Sequence, residues 1–83
     1  MGQKTALVTG ASRGIGRSVA KYLADKGYQV VGLARSAPSG SFPGAFRTAD
    51  LSDAEATRTA LAGIASEFEV DVLVNNAGIA PLG

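Results

Sequence analysis

The 83 residues predict an α/β fold, a parallel sheet of about four strands accompanied by two helices. Two observations carry that prediction. Apolar, β-branched runs alternate with helical patterns in the order strand, helix, strand, loop, strand, helix, strand, the alternation that builds a parallel sheet through right-handed crossovers. Hydrophobic residues make up 46% of the chain and charged residues 18%, a balance suited to packing a core and not to disorder.

Thr5 to Thr9 is an apolar, β-branched run that breaks at Gly10, as a buried parallel strand feeding a glycine turn would. Beyond the turn, Ile15, Val19, Tyr22 and Leu23 recur at helical spacing on one face with Arg17, Lys21 and Asp25 opposite, and Gly27 ends the helix as its C′ residue. Val30 to Ala34 reads as a second buried strand. Ser36 to Gly44 holds two prolines and two glycines with no helical period, so a loop is expected where a crossover helix would usually run. Nine extended residues span roughly 30 Å, enough to return along a strand. Phe46 to Asp50 is the third strand, and Ser52 with Glu55 has the spacing of a capping box. Thr57, Leu61, Ile64 and Phe68 form the apolar stripe of the second helix, and Val70 to Val74 is the fourth strand.

The formal charge is +1 with both signs interspersed, which argues against nucleic acid or membrane as partner and for a small molecule. Lacking cysteine and histidine, the chain has no thiol nucleophile, disulfide, imidazole base or usual zinc ligand set, and its carboxylates do not cluster as a metal site requires. Met1-Gly2-Gln3-Lys4 leads straight into a short apolar stretch with no signal-like segment, and no apolar run is long enough to span a membrane; a cytoplasmic protein is the expectation. A chain this short buries a small share of its surface, so its stability alone should be marginal.

Thr9-Gly10-Ala11-Ser12-Arg13-Gly14-Ile15-Gly16 lies where the first strand gives way to the first helix. A helix N-terminus offers unpaired N–H groups and about half a positive charge, so a pyrophosphate can be held there without a cationic side chain. Gly10 would make the turn out of the strand, Gly14 would admit phosphate close to the backbone, Gly16 would let the helix pack tightly, and Ser12 could add a hydroxyl donor. The spacing is not that of the nucleoside triphosphatase phosphate loop, because Arg17 stands where lysine is needed. Three glycines could also simply form a loop and a helix start, but the strand before and the helix after favour the phosphate reading.

Thr-Gly-x-x-x-Gly-x-Gly after the first strand, Asp50-Leu51 after the third and Asn75-Asn76-Ala77-Gly78 after the fourth together resemble the short-chain dehydrogenase/reductase family. The resemblance spans nearly the whole chain, with each motif at the C-terminal end of a strand, where ligands bind in open parallel sheets. It implies a partial Rossmann-type sheet in the order 3-2-1-4, residues 1–83 being the N-terminal part of a single NAD(P)-binding domain whose catalytic half is absent. In the family, the glycine motif with Ser12 and Ile15 cradles the pyrophosphate, and the Asp50 carboxylate and Leu51 amide contact the adenine. Asn75 would brace the central strands, and Asn76, Ala77 and Gly78 would line the ribose side. Asp50 also fits a plain helix-start carboxylate beside Ser52.

Dinucleotide sites distinguish the two nicotinamide cofactors at the end of the second strand, where an acidic residue takes the ribose 2′-hydroxyl and a basic one a 2′-phosphate. Ala34-Arg35-Ser36 stands there with no carboxylate. Arg35, Ser36 and Arg13 could gather around one phosphate, so NADP(H) is favoured over NAD(H); each arginine could also be a solvated charge. The resemblance further implies hydride transfer between NADPH and a small carbonyl or alcohol substrate, in a full-length protein expected to be a homo-oligomer.

The family's catalytic Ser, Tyr and Lys follow its fifth strand in Tyr-x-x-x-Lys spacing, and those positions lie beyond Gly83; no catalytic residue is assigned within the chain. Tyr22-Leu23-Ala24-Asp25-Lys26 has the same spacing, but it lies on the first helix, about 12 Å from the phosphate end, and reads as a core-edge tyrosine. Two other functions remain open: a nucleotide-binding module without catalysis, or an interaction fragment that pairs its open fourth strand with another chain.

Overall fold

A computed structural model describes residues 3–12 and 14–75. In chain order the elements are β1 (Thr5–Thr9), α1 (Gly14–Asp25), β2 (Gln29–Ala34), β3 (Ala45–Thr48), α2 (Ala54–Glu67) and β4 (Val70–Asn75). The four strands form one sheet in the order β3-β2-β1-β4, every neighbour parallel, as the sequence implies. Thr5 lies opposite Gln29 and Thr9 opposite Leu33 in the β1–β2 ladder.

The pleat sends alternate side chains to opposite faces. Leu7, Val31 and Leu33 meet Ile64 of α2 on one side. Val8 and Val30 meet Ala11 and Ala20 on the other, the side of α1. The result is three layers, with β1 and β2 buried between the two helices. Burying a side chain of the size of Leu33 or Ile64 stabilises by roughly 1.5–3 kcal/mol, so these few contacts dominate the core.

α1 departs from the apolar stripe expected of it. Its buried residues are Gly16 and Ala20, with Val19 and Leu23 beside them, whereas Ile15 is 73% and Tyr22 60% exposed. Two small residues four apart let the helix axis come close to the sheet, and Tyr22, two residues past Ala20 and so on the far side of the helix, faces outward, where the Lys26 ammonium lies 5.3 Å from its ring centre. Gly27 does close the helix: it has φ +96°, its N–H donates to Ala24 O at 3.0 Å, and the Tyr28 N–H donates to Leu23 O at 3.0 Å. That pair of bonds is a Schellman cap.

Residues 36–44 form the expected loop instead of a helix. It covers the α1 side of the sheet through Phe42, whose ring stands edge-on to Phe46 at 5.0 Å, and both rings lie over Gly32, where a Cβ would come within 2.6 Å of Phe42. Arg17 ties the loop to α1 by donating to the Ser41 carbonyl at 3.0 Å.

β3 is shorter than the run 46–50 suggests, because the chain leaves the sheet after Ala49 N–H bonds Ala34 O. The cap of α2 is Asp53 and not Ser52: the Asp53 carboxylate accepts from the Glu55 and Ala56 N–H groups at 3.0 and 3.3 Å. The N-cap is thus one residue later than expected and the Ser52–Glu55 capping box does not form, since the Ser52 hydroxyl turns back to Asp50 and Ala56 stands three residues after Asp53. β4 forms the second edge of the sheet, with Val70 37% and Leu73 59% exposed, and its register against β1 slips between Thr5 and Ala6.

Candidate nucleotide site at the strand ends

The strand order reverses at β1, which has β2 and β3 on one side and β4 on the other. Above the C-terminal ends of β1, β2 and β3 opens a cleft of about 430 Å³. Three turns line it. Gly10 and Ser12 come from the turn after β1, Ala34, Arg35 and Ser36 from the end of β2, and Asp50, Leu51 and Ser52 from the turn after β3. Six of the residues singled out in the sequence, Gly10, Ser12, Arg35, Ser36, Asp50 and Leu51, are therefore brought to one place.

Gly10 leaves β1 with φ +64°, a conformation open to glycine, and its N–H donates to Leu33 O at 2.8 Å, so the turn is anchored to β2. Gly14 opens α1 with φ +63°, and a Cβ built there would meet nothing within 4 Å. The first turn of α1 carries no acidic residue, whereas α2 starts with Glu55 behind its Asp53 cap. An anion is favoured at the first of these helix ends and opposed at the second. Ile15 and Gly16 lie in the same first turn, Ile15 exposed and Gly16 buried against the sheet; neither they nor Gly14 lines the cleft. Arg13, Asn76, Ala77 and Gly78 lie outside the described residues.

Asp50 is held in one orientation. Its Oδ1 accepts from the Ser52 hydroxyl at 2.6 Å and from the Ser52 N–H at 3.0 Å. These two bonds, with a smaller contribution from the Arg35 guanidinium, hold its carboxyl below the usual carboxylate range, although its slight desolvation acts the other way. Asp50 is thus an anion that faces the cleft at neutral pH. Ser52 escapes a reading of the sequence that treats it as a helix cap; the Asp-x-Ser spacing of an Asx turn is the signal that would have found it. At the next strand end Thr9 donates its hydroxyl to Asn75 Oδ1 at 3.1 Å and, more weakly, to Val74 O at 3.4 Å, joining the termini of β1 and β4. Asn75 thereby ties the end of the edge strand β4 to β1.

A larger cleft, of about 690 Å³, lies between α1 and the 36–44 loop and is lined by Arg17, Ser18, Lys21 and Phe42 among others. Of the residues predicted for the site it contains Gly14 alone. Size does not mark the site here, because three strand ends converge on the smaller cleft. Among the described residues no cluster of acidic side chains could hold a metal ion, and no helix is long and apolar enough to cross a membrane.

The family model for short chain dehydrogenases matches residues 4–83. A 3-oxoacyl-[acyl-carrier-protein] reductase, FabG of Escherichia coli strain K12, is 44% identical over 84 residues, which cover 92% of this chain and 34% of the relative. The serine 3-dehydrogenase of Rhizobium radiobacter is 40% identical over 84 residues with the same coverage, 92% and 34%. Among solved structures, the ligand-free aldohexose dehydrogenase of Thermoplasma acidophilum superposes with a TM-score of 0.83 at 34% identity, over 98% of this chain and 32% of that one. The chain spans about a third of the length of the curated relatives it matches. With its strand order, its glycine turn and a family match that runs over nearly all its residues, the chain belongs to the short chain dehydrogenase family.

Proposed function

We propose that the cleft at the ends of β1, β2 and β3 is the adenosine side of an NADP(H) site, and that the chain is the cofactor-binding part of an oxidoreductase acting on a carbonyl or alcohol. The observation that carries this reading is the convergence of Gly10, Ser12, Arg35, Ser36, Asp50 and Leu51 on one cleft. The residues suit such a ligand. Two glycines with positive φ leave the backbone bare where a pyrophosphate would lie, and no carboxylate opposes it in the first turn of α1. Arg35 and Ser36 follow β2 where a 2′-phosphate would be read, and Ala34-Arg35-Ser36 has no acidic residue to favour a free 2′-hydroxyl. Arg13 is the further candidate for that phosphate, and Asn76, Ala77 and Gly78 for the ribose side.

When bound, the cofactor supplies the hydride. This chain's residues bind and orient it: Asp50 and the Leu51 amide face the adenine, Arg35 and Ser36 hold the 2′-phosphate, and the turn at Gly10 to Gly16 carries the pyrophosphate. The two curated relatives are named for unlike substrates, a 3-oxoacyl-[acyl-carrier-protein] and serine, so the likeness does not select a substrate within the carbonyl and alcohol class. Titrating the protein with NADPH and with NADH tests the reading. Saturable binding that favours NADPH is the expected result; binding of neither removes the proposal, and a preference for NADH removes the roles given to Arg35 and Ser36.

A further inference from the structure

Arg35 and Asp50 line the same cleft with opposite charges, yet they do not pair. Ion pairs among the described residues join Lys21 to Asp25 and Arg47 to Glu67; Arg35 is in none, and it makes no hydrogen bond to a described residue. The two groups are close enough for the guanidinium to favour the ionised carboxylate. Both residues are exposed. In that position a flexible arginine and a free carboxylate would be expected to close on each other.

The Asp50 carboxylate is not free, however. Ser52 donates twice to the same oxygen, Oδ1, through its hydroxyl at 2.6 Å and its N–H at 3.0 Å. The backbone reinforces the turn, because the Asp53 N–H donates to Asp50 O at 3.0 Å. Two donors on one oxygen fix the plane of the carboxylate and lower the charge density available to a third. We infer that Ser52 is a positioning residue that holds the Asp50 carboxylate off Arg35, so that the guanidinium stays available for the 2′-phosphate of NADP(H). The inference rests on the NADP(H) reading above and adds a determinant of cofactor preference that does not itself touch the 2′-phosphate. Asp50 then keeps Oδ2 for the base while Arg35 keeps its fork for the phosphate, and the cleft stays open between them.

The consequence is a selective effect. Removing the Ser52 hydroxyl lets Asp50 swing to Arg35, and a ligand with a 2′-phosphate must then break that pair, whereas one without it need not. The test is a titration of the protein, of Ser52→Ala and of Ser52→Thr with NADPH and with NADH, each variant checked by circular dichroism. Ser52→Ala is expected to weaken NADPH binding about tenfold, the scale of one charge-assisted hydrogen bond, while NADH binding changes less than about threefold. Ser52→Thr, which keeps the hydroxyl, should retain the original preference. In Asp50→Asn/Ser52→Ala the ratio of the two affinities should return toward that of Asp50→Asn alone, because the neutral amide offers Arg35 no counter-charge. If Ser52→Ala weakens both dinucleotides equally, or changes neither while the unaltered protein prefers NADPH, the inference falls and the cofactor reading stands. If the unaltered protein binds neither dinucleotide, both fall together.

Discussion

The Thr5 N–H donates to Asp71 Oδ2 at 2.9 Å, at the point where β4 slips by one residue against β1. Thr5 pairs with Val70 and Ala6 with Val72, so Asp71 faces no ladder partner and its carboxylate takes the donor that the slip would leave unpaired. Thr5 is buried, and a buried N–H without a partner is costly. Asp71→Ala should lower unfolding free energy by about 1–3 kcal/mol, read as a lower urea midpoint with an unchanged slope. An unaltered midpoint would show that water reaches Thr5 and that the carboxylate is dispensable.

Two glycines should respond to alanine in opposite directions. A Cβ at Gly44 would stand 2.1 Å from the Val30 carbonyl oxygen, a backbone atom that cannot move aside without disturbing the β2–β3 junction. At Gly63, exposed within α2, a Cβ meets nothing within 4 Å. Gly44→Ala should destabilise by at least about 1–3 kcal/mol, and Gly63→Ala should stabilise by roughly 0.5–1 kcal/mol. Thermal melts of the two variants check this. A Gly44→Ala protein as stable as the parent would place the loop farther from β2 than described.

The carboxyl of Asp50 is held below its ordinary range by the Ser52 bonds. Its folded pKa is thus lower than its unfolded one, so its contribution to stability is complete above the unfolded value and is lost as pH falls through the folded one. Asp50→Asn should melt below the parent at neutral pH, and the two curves should converge as the solution is acidified past that window. A gap that stays constant down to strong acid would mean that the Ser52 bonds do not depend on the charge.

Arg35→Gln removes the cation from the end of β2 and keeps a polar side chain of similar reach. NADPH binding should weaken by about ten- to a hundredfold with NADH binding nearly unchanged, as measured by calorimetric titration. Equal losses for both dinucleotides would count against a 2′-phosphate contact.

The parallel sheet and the helix-free crossover were legible because each rests on local chemistry that tertiary context does not override, whereas the strand order came from the family resemblance of the motifs. A β-branched run that ends in glycine forms a strand, and a segment with Pro38, Gly40, Pro43 and Gly44 cannot form a helix. The glycine turn and Arg35 were legible from their places after a strand, and Asp50 and Leu51 from the family resemblance; because the strands are parallel, all these ends lie on one side of the sheet. Two of the misreadings, Tyr22 and the α2 cap, arise from competition between neighbours. Tyr22 is the larger candidate for the buried face of α1, but Gly16 and Ala20 allow a closer approach, and depth of approach is not visible in a helical period. Ser52 and Asp53 are both good caps, and what decides between them is Asp50, two residues earlier, which claims the serine hydroxyl.

The place of β1 at the middle of the sheet has a kinetic side. Its first partner is near: Thr5 Oγ1 donates to Gln29 Oε1, 24 positions away, at 2.9 Å. Its second is far, for Thr5 and Asp71 are 66 positions apart. Closing the longer loop costs roughly 0.9 kcal/mol more in chain entropy, so it is the slower of the two to form. On a ribosome the difference is larger, because β1, β2 and β3 emerge first and β4 follows on the order of a few seconds later. For that interval the innermost strand of the finished sheet is an outer one, with its hydrogen-bonding edge bare, and a nascent chain is most open to mispairing through the very residues that end up least accessible.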